Sequence, residues 1–331
     1  MPRPFHAVPR RTLLAAAGAA ALAGAWPPAR AQGPWPDKPV RLLVGFSAGT
    51  SPDLLARLLA EPLAARFGQP FIVENRAGAS GNIAAGQLAK AADQHTFGVV
   101  GAAVLTSAPA LYPRLDFKTD ELAPISVIGS SPLMLVTSPK IAFDGVRGFL
   151  ATAREAGSRW SYGSPGVGSN GHLSMELLKE KTGIAAVHVP FGGAPAVLTA
   201  IIGGDIQMAL LPIGNAMTQV QAGRIQAVAL TSSGPSPLAT GVPALAEHGV
   251  PDLRLDTWNA VMAPARTAPP VLERFGSAVR EVLQSEDIRR KLFAQGWMAE
   301  GGPAEDLRQR IAADAALYGR IVAERGIRIE G

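Results

Sequence analysis

Short apolar runs alternate with turns of small residues and with longer segments of helical spacing along most of this chain. The first unit is the clearest. Val40-Arg41-Leu42-Leu43-Val44 reads as a buried strand, Gly45-Phe46-Ser47-Ala48-Gly49-Thr50-Ser51-Pro52-Asp53 as a turn, and Leu54-Leu55-Ala56-Arg57-Leu58-Leu59 as the start of an apolar helix. Pro62 predicts a kink or break inside that helix, and Gly68-Gln69-Pro70 its end. Phe71–Glu74 and Thr96–Val100 read as the next strands, with a small-residue helix over Ile83–Ala91 between them. Strands separated by helix-length segments predict a parallel sheet with crossover helices.

The run from Ile125 to Val136 is too long for one ordinary strand and is interrupted by Ser130-Ser131-Pro132. It reads as a strand that leaves one sheet and enters another, a candidate hinge. The cycle then restarts, with strands at Trp160–Gly163, Ala186–Val189, Ile206–Leu211 and Ile225–Thr231. Helices are predicted between them at Leu173–Lys181, Pro195–Ile202 and Ala216–Ala222. Ser232-Ser233-Gly234-Pro235-Ser236-Pro237 is a second linker candidate, and Trp258–Ala263 is strand-like. The last third turns helical: Val271, Phe275, Val279 and Leu283 form a stripe at every fourth position, and a final helix is predicted from about Pro303 to Arg325. Two crossings imply a chain that leaves its first domain and returns, an arrangement that permits hinge closure on a ligand.

Residues 1–31 read differently. Arg10-Arg11 precede an apolar run from Leu13 to Trp26, and Ala29-Arg30-Ala31 offers a small-x-small cleavage site. The run is shorter than the roughly 20 residues a bilayer span needs, so a cleaved export signal is expected, with a twin-arginine character. Removing it changes the charge. Of 31 basic residues, Arg3, Arg10, Arg11 and Arg30 lie in this segment and no acid does, which leaves 27 against 26 acids and a net charge of +1. Nucleic-acid and membrane-surface partners lose their support, and no membrane insertion of the mature chain is expected. Cysteine is absent, which excludes disulfides and thiolate metal sites. About 300 mature residues favour two domains, and abundant Gly and Ala with few aromatics suit packed α/β layers.

Two motifs resemble catalytic or cofactor signatures. Gly45-Phe46-Ser47-Ala48-Gly49 matches a nucleophile elbow and would make Ser47 the nucleophile of an exported serine hydrolase. It follows the first strand of the mature chain, however, so no earlier strand is available to carry an oxyanion loop, and Thr50-Ser51-Pro52 delays the helix. Gly166-Val167-Gly168-Ser169-Asn170-Gly171 matches a dinucleotide fingerprint, yet Val187-His188-Val189-Pro190-Phe191 lacks the acidic residue expected about 20 positions on. The histidines are scattered without metal-ligand spacing, so neither a cofactor nor a metal is expected. His172 and His188 read as packed side chains and Asp53 as a helix N-terminal cap. What survives is two strand–turn–helix units, at 40–59 and 160–173, whose helix N-termini and small residues suit an anion.

With these loops in hand, the chain resembles the substrate-binding proteins of tripartite tricarboxylate transporters, the Bug or TctC-like family. Glu74-Asn75-Arg76-Ala77-Gly78-Ala79-Ser80-Gly81-Asn82-Ile83 carries the most specific likeness. Lys38-Pro39-Val40-Arg41, Gly45–Gly49 with Asp53, Pro109-Ala110-Leu111-Tyr112, Tyr162-Gly163-Ser164 through His172-Leu173, Val189-Pro190-Phe191, Gly203-Gly204 and Trp258 with Ala263-Pro264 continue it. The resemblance implies a type II periplasmic-binding-protein fold: two parallel or mixed-sheet α/β domains, joined by two crossings, with a ligand cleft between them. Residues 32–128 plus 236–331 are expected to form one domain and 129–235 the other. It also implies a periplasmic monomer that is not an enzyme, binds a small carboxylate and delivers it to the permease subunits of a membrane transporter. A scavenger or sensor without a dedicated permease remains open. The expected ligand contacts are Phe46, Ser47, Ala48, Gly49, Thr50, Ser51, Asp53 and Ala103 on one side, with Ser164, Gly168, Ser169, Asn170, Phe191, Gly192 and Leu211 on the other. Where relatives that take amino acids resemble one another in carrying an Asp, this chain has Leu211-Pro212. A carboxylate without an amine is therefore expected, with an apolar part facing Phe46, Phe191 and Leu211.

Overall fold

A computed structural model describes residues 35–250, 253 and 255–329. The export signal expected at 1–31 lies outside the described residues. Strand β1 (Val40–Val44) pairs in parallel with β2 (Phe71–Asn75) and β3 (Thr96–Gly101), as the alternation of strand and helix predicts. Helix α1 (Ser51–Phe67) and helix α2 (Asn82–Lys90) are the crossovers. Pro62 does not end α1, which runs on to a left-handed Gly68. After β3 come two short helices missed by the hydropathy pattern, α3 (Ala102–Thr106) and α4 (Ala108–Leu111).

The overlong apolar run is one strand of 16 residues, β4 (Leu122–Thr137). Its first part pairs with β9 (Asp256–Pro264), and the short β10 (Met298–Ala299) pairs at Gly129 and Ser130. Its last five residues pair with β7 (Met208–Pro212), and most of them also with β8 (Gln226–Leu230). Beyond β7, strands β5 (Ser161–Ser164) and β6 (Val187–Pro190) complete the second sheet in parallel. Thus β4 belongs to both sheets. The sheets are mixed, as expected, for a simple reason: β4 carries the chain out of the first sheet and β9 brings it back, so the two run in opposite directions.

Helices α5 (Gly145–Ala156), α6 (Asn170–Thr182), α7 (Ala194–Gly203) and α8 (Ile213–Gln221) cover the second sheet. Helices α9 (Pro269–Gln284), α10 (Glu286–Ala294) and α11 (Ala304–Glu324) close the chain. Strand periodicity divides the core. Leu133 and Leu135 of β4, with Met208 and Leu210 of β7, pack with Tyr162 and Leu173. Their alternate neighbours Met134, Val136, Ala209 and Leu211 pack on the opposite face with Val197 and Ile201. A separate cluster around Leu43, Val100, Val127, Trp258 and Met262 fills the first sheet.

The second crossing, after β8, differs from the division the sequence suggests. Leu245, Val250, Leu253 and Leu255 pack with the core of the second sheet rather than the first. Helix α11 does both: Leu307 joins the first core, whereas Tyr318, Ile321 and Val322 join the second.

Candidate functional site

A cavity of about 230 Å³ opens where the two sheets meet. From the first sheet come Phe46, Ser51 at the start of α1, Asn82 at the start of α2, Gly101–Val104, and Trp258 and Asn259 of β9. From the second come Leu133, Leu210 and the whole turn Pro165–Gly171 that leads into α6. Trp297, just before β10, adds a further indole. None of the lining residues carries a charged side chain. An anion held here must therefore be met by backbone N–H groups, neutral side chains and helix ends.

The α6 end suits that role. Ser169 caps the helix by accepting the His172 N–H at 3.3 Å, and no acid occupies the first turn. Helix α6 has 13 residues, long enough to present a developed dipole. Gly168, at φ +76°, turns the chain into the helix, and its N–H donates to His172 Nδ1 at 3.0 Å. A Cβ at Gly168 would lie 2.1 Å from Leu111 Cδ1, so the turn is pressed against α4. Ser107 Oγ also donates to Gly168 O at 3.0 Å, and Asn170 Nδ2 to Asp256 O at 3.4 Å. Both bonds link the turn to elements beside the first sheet.

The α1 end is built differently. Asp53 is buried and accepts the Gly49 N–H at 2.8 Å, Asn75 Nδ2 at 2.9 Å and a two-pronged contact from Arg57. Burial pushes its pKa up, but the bonds from Arg57, Gly49 and Asn75 outweigh burial and hold the carboxyl below its usual range. Asn75 Nδ2 also donates to Phe46 O at 2.9 Å. The Glu-Asn-Arg stretch thus supplies the brace of the first turn. Asp53 sits in the third helical position and reaches back to the loop, whereas the cap position is Thr50.

Of the residues the sequence singles out, Phe46, Ser51, Ala103, Gly168, Ser169 and Asn170 line the cavity. Ser47, Ala48, Gly49 and Thr50 form a turn beside it and are not in its lining. Ser164 is fully buried and bonded to His188 Nε2 at 2.7 Å. Phe191 and Gly192 lie outside the lining, and Leu211 faces the core while its neighbours Leu210 and Pro212 face the cavity. Both faces of β7 are apolar, so the pattern carries no phase to tell Leu210 from Leu211. Trp258, at the head of the strand-like stretch, both packs and lines the cavity. Asn82, Asn259, Trp297, Ser107 and the Leu111–Tyr112 pair join the lining without having been singled out as contacts. An asparagine inside the apolar strand Trp258–Ala263 is the signal that could have found Asn259.

Behind the α6 turn, His172 and His188 stack at 3.8 Å with planes 11° apart, and Tyr162 lies 4.9 Å from His188. Glu176 accepts from Tyr162 Oη and Lys179 Nζ, each at 2.6 Å. Burial drives the His172 pKa down to about 4, with repulsion from His188 adding to it, and burial takes His188 to about 4 as well. In the unfolded chain these imidazoles titrate near 6.5. The unfolded state therefore binds more protons between those values, so the stabilisation these neutral imidazoles contribute is full above about pH 6.5 and lost as pH falls toward 4. The melting temperature should drop between about pH 7 and pH 5, and His172→Gln should reduce that drop. An unchanged slope in the variant would assign the drop to groups other than His172.

Among the described residues no group of three or more His, Cys, Asp or Glu side chains gathers as a metal site would. No helix among them is long and apolar enough to cross a membrane.

Comparison with known proteins gives a consistent result. BugT of Bordetella pertussis (strain Tohama I) is 32% identical over 299 residues, covering 89% of this chain and 92% of BugT. The solved structure of R. palustris Rpa4515 with adipate superposes with a TM-score of 0.82 at 30% identity, covering 89% of this chain and all of that one. MatC (Rpa3494) from Rhodopseudomonas palustris with bound malate gives 0.77 at 27% identity, covering 87% and 100%. The type II binding-protein architecture expected from the sequence is therefore the fold of this chain. The model of the family described as "Tripartite tricarboxylate transporter family receptor" matches residues 55–327. The chain belongs to the tripartite tricarboxylate transporter receptor family.

Proposed function

We propose that this protein is an exported, periplasmic solute-binding receptor that captures a small carboxylate and hands it to the permease subunits of a tripartite tricarboxylate-type transporter. One observation carries the reading: the cavity between the sheets has no charged side chain, yet its wall includes the uncapped-by-acid N-terminus of α6 at Ser169–Gly171. Such a wall favours an anion over a cation or an uncharged sugar. The adipate and malate named for two relatives fit the same chemistry. The chain would act as a monomer of two lobes built on the two sheets, closing about β4 and the chain segment that follows β8. The ligand makes its full set of contacts only when both sheets approach it, so binding favours the closed form. Backbone amides of Ser169, Asn170 and Gly171 would take one carboxylate, and Phe46, Trp258 and Trp297 would pack on the ligand body.

The hydrolase reading gains no support. Among the described residues Ser47 is exposed and makes no hydrogen bond to a histidine. The serine that does meet a histidine, Ser164, is fully buried. Native mass spectrometry of the protein as purified should reveal a co-purified small acid, and a fluorophosphonate probe should leave Ser47 unlabelled. Labelling of Ser47 without any acid-induced stabilisation would overturn the receptor reading.

A further inference from the structure

The cavity contains an unmet hydrogen-bonding demand. Asn82 is 6% exposed, lines the cavity, and neither its Nδ2 nor its Oδ1 has a partner among the described residues. Asn259 is 4% exposed, also lines the cavity, and its Oδ1 is unpartnered as well. Buried amide groups are rarely left unsatisfied in folded proteins, because each one costs free energy when desolvated without a bond. Both residues belong to elements of the first sheet, whereas the anion seat at α6 belongs to the second. The two ends of the cavity therefore ask for different chemistry.

The Asn82 amide presents one donor group and one acceptor. Turning it end for end exchanges the two and leaves the demand unchanged. Water can both donate and accept, so it can satisfy such an amide until a ligand expels it. A second carboxylate accepts only, and would leave the Asn82 and Asn259 oxygens buried against its own negative charge. An ammonium donates only, and no anionic side chain lines the cavity to meet it. A carboxamide or a hydroxyl does both.

We infer that the preferred ligand is a monocarboxylate whose far end carries a neutral donor–acceptor group, a carboxamide or hydroxyl, seated on Asn82 and Asn259. This rests on the carboxylate-receptor reading above and narrows it. Sites built to hydrogen-bond a substrate group discriminate strongly against analogues that cannot match it.

The test is isothermal titration of the intact mature protein at about pH 8, where both ends of a diacid are ionised. The probes are matched pairs: succinate and succinamate, glutarate and glutaramate, adipate and adipamate, terephthalate and 4-carbamoylbenzoate. In the pair that fits best, the monoamide should bind at least about tenfold more tightly than the diacid. Equal or tighter binding of the diacid in every pair would overturn this inference and leave the receptor reading standing. If no acid of either kind binds, the receptor reading falls, and this inference with it. Asn82→Leu and Asn259→Leu should each erase the preference, bringing the ratio of monoamide to diacid affinity down from about tenfold to near one. Equal loss for both ligands would assign the amides to the scaffold and overturn the inference. Because the ligand pairs are compared on the unmodified protein, a variant that fails to fold leaves the test intact.

Discussion

Trp258→Ala should lower the free energy of unfolding by about 3–5 kcal/mol and abolish ligand-induced stabilisation. The indole is wholly buried and packs in the first core. Its Nε1–H donates to Asp314 Oδ2 at 2.7 Å, and the Arg310 guanidinium lies 5.4 Å from the ring centroid. Truncation would open a void in the cavity wall and strip Asp314 of its donor. Burial already raises the Asp314 pKa, against the lowering effects of Trp258 and Arg310, so losing the indole should raise it further. Trp258→Phe separates the two effects, because it retains most of the apolar fill and loses only the hydrogen bond, at about 1–3 kcal/mol. Urea denaturation of both variants at neutral pH measures the difference. A cost for alanine no greater than that for phenylalanine would mean that the void closes by relaxation of its neighbours.

Gly171→Ala should abolish binding, and a single methyl group is enough. A Cβ at this position would lie 2.5 Å from the Leu210 carbonyl oxygen, a rigid backbone atom of β7. Either α6 or β7 must shift, at about 1–3 kcal/mol, and the N–H groups of Ser169–Gly171 move with the helix. The matched control is Gly49→Ala in the first turn. There a Cβ meets nothing within 4 Å, and only the positive φ of 82° resists it. That change should cost about 1 kcal/mol and leave binding nearly intact. Titration calorimetry on the two variants, with thermal melts alongside, checks the asymmetry. Equal losses of binding would place the ligand at the first turn instead.

Much of the architecture was legible because strand and helix periods are unmistakable where one face is apolar. Val40–Val44 and the stripe at Val271, Phe275, Val279 and Leu283 are examples. The overlong run at 125–136 announced a strand shared by two sheets. Helices α3 and α4 were not legible: Gly101-Ala102-Ala103-Val104 is apolar throughout and continues β3 without any change of period. Helix α5 was legible although the reading above leaves it out: Asp144 stands at its cap position, and Val146, Phe149, Leu150 and Ala153 form one apolar face. At the site, turns of small residues were visible as candidates, but their depth was not. Ser47–Thr50 and Gly168–Asn170 look alike as strings, and only the tertiary placement of Asp53 beneath the first and Leu210 beside the second distinguishes them. Asn82 and Asn259 were hidden for a related reason: an unpaired amide cannot be recognised until all its neighbours are known.

Helix α11 bears on how far the molecule can open. Two bodies joined only by strands can swing through a wide arc, limited by steric contact at its ends. Here a rod of 21 residues, about 30 Å long, is seated in both cores, by Leu307 in one and by Tyr318, Ile321 and Val322 in the other. Such a rod acts as a splint across the joint. Wide gaping would require one of its two seats to be pulled from its socket, exposing apolar surface to water. Motion is therefore expected to stay within the small angles that both seats tolerate, as in a stiff clasp rather than a loose jaw.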